Sequence, residues 1–332
     1  MFKGKIILIT GGSGSLGQAL TRRLLTLDVD TIRIFSRNEY RQISMESSYD
    51  DDRLRFFVGD VRDLPRLNRA MEDVDIVFHA AALKHVPKVE YNPFEAIKTN
   101  VMGSQNVIDS SLNADVEKVI CIGTDKAVSP LNTYGATKLL MEKLFISANN
   151  YLNKQRHRTK FLALRYGNVL GSNGSVVPKF IEQIKNGKKV TITDPNMTRF
   201  SITMNEAIDF ILHTTSLGNE SETFVPKLRS YIITDLKDAL IELLGNTGEE
   251  IIGIRPGEKL HETLINNDEI RYAWELDNSY IISNQLINDD QIKKLHPGIK
   301  KIENMNKYSS DSVEKISKEE LKEIIKKLDL LN

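Results

Sequence analysis

The sequence predicts an α/β fold built on a doubly wound parallel sheet, with a smaller C-terminal lobe that binds substrate over one end of it. Three observations predict it. An Ile-rich apolar run, Lys5 to Thr10, passes straight into a glycine-rich turn; short apolar runs then alternate with helical patterns to about residue 170; beyond that the chain breaks into shorter elements separated by Gly, Pro and Asn. Continuous apolar runs mark strands covered on both faces, and strand–helix alternation marks a parallel sheet joined by crossovers. The expected division is residues 1–170 for the sheet, with later segments returning to it, and 171–332 for the lobe. At 332 residues the chain is long enough for both.

Lys5 to Thr10 is the first strand. It ends in Gly11-Gly12-Ser13-Gly14-Ser15-Leu16-Gly17, after which Leu16, Leu20, Leu24 and Leu25 repeat at helical spacing. Strand, glycine turn and helix N-terminus together make a phosphate-binding unit of the Rossmann type: glycines let the backbone approach a pyrophosphate, and the helix end attracts its charge. The glycines are spaced GxxGxxG instead of GxGxxG, so the weight rests on this context. Gly11, Ser13, Gly14, Ser15, Leu16 and Gly17 are therefore expected around a dinucleotide.

The second strand, Thr31 to Phe35, ends in Ser36-Arg37-Asn38, where an NAD-binding chain carries an acidic residue for the ribose hydroxyl. A hydroxyl followed by an arginine suits a 2′-phosphate and favours NADP; the alternative is that Arg37 is a solvated loop charge. Leu54 to Val58 is the third strand, with Asp60 and Val61 beyond it in reach of an adenine. Asp73 to His79 is the fourth. Ala80-Ala81-Ala82 follows it, small enough for the backbone to lie against a cofactor ribose, and Lys84 and His85 share that loop. Phe94 to Leu112 has helical spacing and contains Asn100, which reads equally as a structural amide and as a site residue.

The richest stretch is Val119 to Lys138. Val119 to Ile122 is the fifth strand, Gly123 ends it, and Thr124, Asp125 and Lys126 stand in a row on the loop that leaves it. Tyr134 and Lys138 then fall four residues apart at the start of a helical pattern, which stacks phenol and ammonium on one face. A Lys beside a Tyr favours the phenolate, a proton acceptor for a sugar hydroxyl. Asp125 and Lys126 form a second acid–base pair, more than a simple dehydrogenase needs. Phe161 to Arg165 is the sixth strand, followed by Tyr166-Gly167-Asn168-Val169.

In the lobe, Ser172 to Ser175 reads as a flexible loop and Val176 to Ile184 as a helix. Thr191 to Phe200 reads as a strand, a turn and an arginine, Gly253 to Lys259 as a link between a strand and a helix, and Lys315 to Leu331 as an amphipathic surface helix.

Composition narrows the partners. Forty-five basic and 45 acidic residues cancel, which argues against a nucleic-acid partner. Cys121 is the only cysteine and lies in an apolar strand, where it reads as a small core hydrophobe; a disulfide framework and a Cys-rich metal site are excluded. The apolar run at the N-terminus is too short for a signal peptide or a membrane span, so a cytoplasmic protein without a membrane partner is expected.

With these residues in view, the chain resembles the extended short-chain dehydrogenase/reductases, and within them the inverting UDP-N-acetylglucosamine 4,6-dehydratases. The resemblance is carried by GGSGSLG, by GDVRD at Gly59 to Asp63, by HAAALKHVP at His79 to Pro87, by TDKA at Thr124 to Ala127 and by YGATK at Tyr134 to Lys138. RYGNV at Arg165 to Val169, ITDPNMTRF at Ile192 to Phe200 and IGIRPGEKLHE at Ile252 to Glu262 extend it almost to the end of the chain. TDKA separates this group from most sugar epimerases.

The resemblance implies NADP held tightly and regenerated in each turnover, UDP-N-acetylglucosamine as substrate, and a homo-oligomer, dimer to hexamer. It implies Tyr134 as proton acceptor at carbon 4, Lys126 as base at carbon 5 with its pKa lowered, protonated Asp125 as acid at carbon 6, and Thr124 on the carbon-4 oxygen. It further implies Lys84, His85, Asn168, Val169, Val176, Thr193, Arg199, Arg255, Glu258 and Tyr308 around the nucleotide sugar, with Arg199 and Arg255 as forks for a pyrophosphate. Competing readings are a retaining dehydratase, a UDP-sugar 4-epimerase, and a non-catalytic NADP-binding regulator.

Overall fold

The computed structural model describes residues 1–332 apart from 173, 220, 329 and 332; Asn173, in the stretch expected to be a flexible loop, thus lies outside the described residues. The first half runs β1 (Ile6–Thr10), α1 (Ser15–Leu25), β2 (Thr31–Ser36), α2 (Glu39–Tyr49), β3 (Leu54–Val58), α3 (Leu64–Ala70) and β4 (Ile76–His79). It continues with α4 (Val86–Tyr91), α5 (Pro93–Ala96), α6 (Gly103–Asn113), β5 (Lys118–Ile122), α7 (Thr133–Ala148), β6 (Lys160–Leu164) and β7 (Asn168–Val169). Then follow α8 (Val176–Lys185), β8 (Val190–Ile192), β9 (Thr198–Ile202), α9 (Met204–Leu217), β10 (Glu222–Pro226), β11 (Ser230–Ile232), α10 (Ile233–Leu244), β12 (Glu249–Ile251) and β13 (Thr263–Ile265). The last elements are β14 (Ala273–Glu275), β15 (Ser279–Ser283), α11 (Asp289–Leu295), β16 (Lys300–Lys301), β17 (Tyr308–Ser309) and α12 (Lys318–Lys327).

The main sheet has ten strands in the order β3-β2-β1-β4-β5-β6-β10-β15-β14-β16. From β3 to β10 every pairing is parallel; β15, β14 and β16 continue it antiparallel. Side chains on each central strand alternate between two cores, as a pleat requires. Ile7, Ile9, Phe78, Ile120 and Ile122 meet α1 and α9 on one face. Leu8, Val77, Val119 and Cys121 meet α3, α6 and α7 on the other. Cys121 is a core residue, its thiol pushed up to about 12 by burial. The direction of winding reverses between β1 and β4, and in such sheets the crevice beyond the strand ends at that reversal is where ligands bind.

Residues beyond 170 serve both parts, since β10, β14, β15 and β16 return to the main sheet. The others include α8, α10 and α12, which close a separate apolar core through Phe180, Ile184, Leu236, Leu240, Leu321 and Ile325. Among the described residues no helix is long and apolar enough to cross a membrane.

The local structure departs from sequence expectation in three places. The fourth strand begins at Ile76, not Asp73, because Asp73 has a left-handed φ of 60° and cannot join a ladder. The expected helix Phe94 to Leu112 is interrupted by a π-helical segment, Ile97–Met102, one of the wide turns that often mark functional regions. The loop at Gly253 to Lys259 leads into β13 instead of a helix.

At the end of β6, Arg165 is buried between two carboxylates: Glu142 of α7 at 2.6 Å and Glu269 at 2.7 Å. It ties the sheet to α7 and to the loop after β13. Removing the cation leaves two buried carboxylates uncompensated, so Arg165→Met should lower the unfolding free energy by about 3–5 kcal/mol, read from urea denaturation.

Candidate active site

A cleft of about 1030 Å³ opens where the winding reverses. Its wall runs from the glycine turn, past Arg37, Ala81, Thr124 and Tyr134, to Arg255 and Glu262. That volume is at the upper end of the range for a single small-molecule site and suits two ligands side by side.

One end has the form of a dinucleotide cradle. Gly11 sits at a φ of +69°, and a Cβ there would lie 2.8 Å from the Ala81 nitrogen; a Cβ on Gly17 would lie 2.4 Å from the Gly12 carbonyl oxygen. The turn therefore closes only with glycine, which presses α1 against the sheet. Gly14 gives α1 no side-chain cap and its first turn has no acidic residue, so the positive end of the helix is directed at the cleft. Ser13, Ser15, Leu16, Ser36, Arg37, Asn38, Asp60, Val61, Ala80, Ala81 and Ala82 complete this wall.

Several of these side chains already have internal partners. Ser36 accepts from Ser13 and Gln42, each at 2.9 Å, and Asn38 caps α2 through the Arg41 amide. Burial pulls the Asp60 carboxyl up, but hydrogen bonds from Arg62 outweigh it and hold it below the usual range. Arg37, 3.8 Å from Asp60, is half exposed on this wall. Arg41 joins it on the wall and was missed in the sequence because Asn38, not Arg41, occupies the strand-end position.

Thr124, Asp125 and Lys126 stand where β5 ends. Thr124 caps the single 3₁₀ turn that follows and donates to Asp125 Oδ1 at 2.8 Å. Asp125 is fully buried beneath the wall that Thr124 and Lys126 form. Lys126 Nζ donates to Asp125 Oδ1 at 3.0 Å, Asn168 Oδ1 at 3.0 Å and Glu262 Oε1 at 3.3 Å. Burial draws the Lys126 pKa down, but the two carboxylates outweigh it and hold it above the ordinary lysine value. The expected lowering of Lys126 is thus corrected: it is held as the ammonium between two carboxyl groups. Burial, opposed by Lys126 and reinforced by Glu262, raises the Asp125 carboxyl above its ordinary value, the direction an acid needs.

Tyr134 and Lys138 lie one turn apart on α7, which Asn132 caps through the Gly135 amide at 2.8 Å. Both line the cleft. Lys138 Nζ donates to the Ile122 carbonyl at 2.7 Å and to Met141 Sδ at 3.1 Å. Burial pushes the Tyr134 phenol up to about 12, with Lys126 and the Thr124 hydroxyl pulling the other way. The expected phenolate beside Lys138 is therefore corrected to a buried phenol whose nearby cation is Lys126.

The far end of the cleft collects the remaining candidates. Lys84, His85, Asn168, Val169, Val176, Thr193, Arg199, Arg255 and Glu258 all line it. Arg199 is not a free fork: its guanidinium donates to the carbonyls of Thr198, Leu260 and Lys259 and to Met197 Sδ. It pins β9 to the loop before β13. Arg255 is exposed at the rim. Lys179 shares the wall, donates to Thr191 Oγ1 at 2.9 Å and is lowered by burial and then by Arg255, which places two cations close together. Lys179 follows Val176 by three residues, so helical spacing alone could have found it.

Besides Asp125, buried behind the wall, two expected site residues lie off the cleft. Tyr308 is buried between the rings of Phe200, at 5.1 Å, and Tyr280, at 5.0 Å; its hydroxyl accepts from the Leu228 amide at 2.5 Å. It is a core residue. Asn100, in the π-helical segment, clamps the backbone of Leu83 at 2.7 and 2.9 Å and bonds Thr137 at 3.0 Å. It holds the loop that carries Ala80 to Lys84 and does not line the cleft.

The model of the polysaccharide biosynthesis protein family matches residues 7–284. The inverting UDP-N-acetylglucosamine 4,6-dehydratase of Campylobacter jejuni is 48% identical, over 94% of each chain. The UDP-glucose 4-epimerase of Rickettsia felis is 41% identical, over 99% of this chain and 97% of its own. Among solved structures, Pen from Bacillus thuringiensis superposes with a TM-score of 0.91 at 39% identity and 100% coverage of both chains.

Beneath the cleft, His79 is buried between Thr10 at 2.7 Å and Ser104 at 3.0 Å, and burial drives its pKa down to about 3. The unfolded chain takes up this proton near pH 6.5, the folded ring only near 3. Stability is therefore full above 6.5 and is lost as pH falls from there. Between pH 7 and pH 5 the native protein should lose about 2 kcal/mol through this ring. Denaturant curves at both pH values check it: His79→Gln should lack that increment, and an identical pH dependence in the two proteins would exclude His79 as its source.

Proposed function

The chain belongs to the polysaccharide biosynthesis protein family, and within it we propose that it is a UDP-N-acetylglucosamine 4,6-dehydratase that inverts carbon 5. The observation that carries this reading is two proton-handling sets side by side: Tyr134 and Lys126 on the cleft wall, and Asp125 buried directly behind it, hydrogen-bonded to Lys126 and Thr124. The C. jejuni relative's name supports the same reading. A second reading, 4-epimerisation, is favoured by the names of the Rickettsia relatives. It requires proton transfer only at the carbon-4 oxygen and leaves Asp125 and Lys126 without a task.

The glycine turn, the open N-terminus of α1 and Arg37 fit a nicotinamide dinucleotide, with NADP favoured by Arg37 and by the lack of an acidic residue at Ser36 to Asn38. When bound, it accepts a hydride from the sugar and gives it back. The protein's residues handle the protons. Tyr134, giving up its own proton when the positive ring of a bound dinucleotide joins Lys138 and Lys126 around it, would take the hydroxyl proton at carbon 4, with Thr124 on the same oxygen. Once that carbon is a ketone, the proton on carbon 5 is acidic and leaves by way of Lys126. Asp125, whose burial favours its protonated form, donates to the hydroxyl departing from carbon 6. Lys179 and Arg255 hold the diphosphate of the sugar nucleotide, and residues from 171 onward supply most of that half of the cleft. The protein acts in the cytoplasm as a homo-oligomer.

Incubation with UDP-N-acetylglucosamine in deuterium oxide should give a 4-keto-6-deoxy product carrying deuterium at carbon 5, seen by NMR; conversion to the carbon-4 epimer with no label would establish the second reading instead. Lys126→Ala should still bind the dinucleotide and form no keto sugar. Replacing Arg37 by Ala should weaken NADP binding by about tenfold or more and leave NAD binding nearly unchanged, since a charge-assisted contact to the 2′-phosphate is lost; equal effects on both nucleotides would remove Arg37 from cofactor choice.

A further inference from the structure

A lysine held as an ammonium between two carboxylates cannot accept a proton unless it gives one up, and Lys126 is held in that way. Its Nζ contacts Asp125 at 3.0 Å and Glu262 at 3.3 Å. Glu262, absent from the expected site, lines the cleft and is buried. Its main chain is fixed on both sides: its amide donates to Ser310 Oγ at 2.9 Å, and its carbonyl accepts from the Ser310 amide at 2.8 Å. One carboxylate oxygen, Oε1, faces Lys126 and, at 3.8 Å, Arg199 Nε. The other, Oε2, is buried without a hydrogen-bond partner among the described residues, and so is Asp125 Oδ2. Two carboxylates thus flank one ammonium, each with a second oxygen unpaired.

Resting on the dehydratase reading, we propose that Glu262 is a positioning residue of the dehydration that acts through Lys126, receiving the proton that Lys126 passes on as it removes the hydrogen of carbon 5. One N–H bond of Nζ breaks toward Glu262 Oε1, and the freed lone pair forms a new N–H bond with the carbon-5 hydrogen. The C–H electron pair becomes the C5–C6 double bond as the C6–O bond breaks, and the hydroxyl leaves as water with the proton of Asp125. Before the step Asp125 is protonated, Lys126 is an ammonium and Glu262 is a carboxylate. After it Asp125 is the carboxylate, Lys126 is an ammonium again and Glu262 is protonated. The net charge of the trio does not change.

The charge distribution supports the starting state. Burial raises Glu262, but Lys126, then Arg199, then Lys259 outweigh it and leave it below the ordinary carboxylate range, while Asp125 lies above it. Of the two carboxyl groups, Asp125 is thus the one that favours the proton and Glu262 the one that favours the charge. Arg199 and Lys259, themselves anchored on backbone carbonyls, stabilise Glu262 as the anion without competing for its proton.

The test uses the full-length protein with its dinucleotide and UDP-N-acetylglucosamine in deuterium oxide, comparing native protein, Glu262→Gln and Glu262→Asp. Gln keeps the size and a hydrogen-bonding group and cannot take the proton. Glu262→Gln should lose about 100-fold or more in kcat and in carbon-5 deuterium incorporation, with KM within about threefold of native, and circular dichroism and dinucleotide binding unchanged. Glu262→Asp, an acid on a shorter arm, should recover at least about tenfold over Gln and remain about tenfold below native. A folded Glu262→Gln with kcat within about threefold of native overturns the proposal. Should Gln not fold, Glu262→Asp at native kcat overturns it equally. Native protein that forms no keto sugar overturns the dehydratase reading and this proposal with it, whereas native turnover with an unaffected Gln variant removes the relay alone.

Discussion

Two carboxyl groups and one ammonium share a single buried volume at the carboxyl end of β5, beside the start of β7, and their charges have to be settled together. Asp125, Lys126 and Glu262 lie within 3.0 and 3.3 Å contacts. Groups so close titrate as a set, because ionising one changes the field at the others. Much of the surrounding structure holds this set in place. Thr124 caps the turn that carries two of its members, Asn168 of β7 takes a third hydrogen bond of the ammonium, and Ser310 fixes the backbone of the third member. Arg199 supplies a second cation at longer range and draws its own rigidity from three main-chain carbonyls. Carboxylates left uncompensated at this depth would be costly, so the position of Lys126 stabilises the wall as well as equipping it.

What the sequence made legible follows from how local each signal is. The strand–glycine–helix unit at Ile6 to Leu25, the alternation up to residue 170 and the adjacency of Asp125 to Lys126 are short-range patterns, and the structure contains all three. Glu262 lies 136 residues from Lys126 and is joined to it only by the fold; no periodicity connects a loop before β13 to the end of β5. Arg199 and Tyr308 show the converse problem. The resemblance put both around the nucleotide sugar, yet donors and rings of that kind are also what an interior uses to satisfy carbonyls and fill space. Which use prevails depends on neighbours the chain brings in from elsewhere: Leu260 and Lys259 for the arginine, Phe200 and Tyr280 for the tyrosine. Asn100 was ambiguous for the same reason, and the π turn settles its direction toward Leu83.

The dinucleotide end of the cleft is organised mainly by backbone. Ser36 is buried against Ser13 of the glycine turn and Gln42 of α2, and the Asn38 side chain is spent on capping α2. The close approach of the Gly11 turn to Ala81 and the bare N-terminus of α1 do the work that elsewhere falls to side chains. Arg37 and Arg41 then stand as adjustable charges on a rigid frame. The opposite end is built the other way round, from side chains on α8 and on the loop after β12, with Arg255 close enough to lower Lys179. Mutual repulsion of that kind is relieved by an anion between them, which gives the pair a reason to face the same space.

A raised lysine pKa and a base at carbon 5 are compatible if the lysine conducts the proton and does not store it. Creating or removing a net charge in a buried site requires reorganisation of everything around it, whereas exchanging a proton between two acids across a fixed ammonium leaves the total unchanged. The site has the parts for the second course: Asp125 holding the proton, Glu262 held as the anion, and Lys126 hydrogen-bonded to both. The unpaired oxygens Asp125 Oδ2 and Glu262 Oε2 belong to the same picture, since each carboxyl binds the ammonium through one oxygen and keeps the other uncommitted. On these grounds the depth of burial that makes Lys126 a poor base by itself is the condition that makes the three residues effective together.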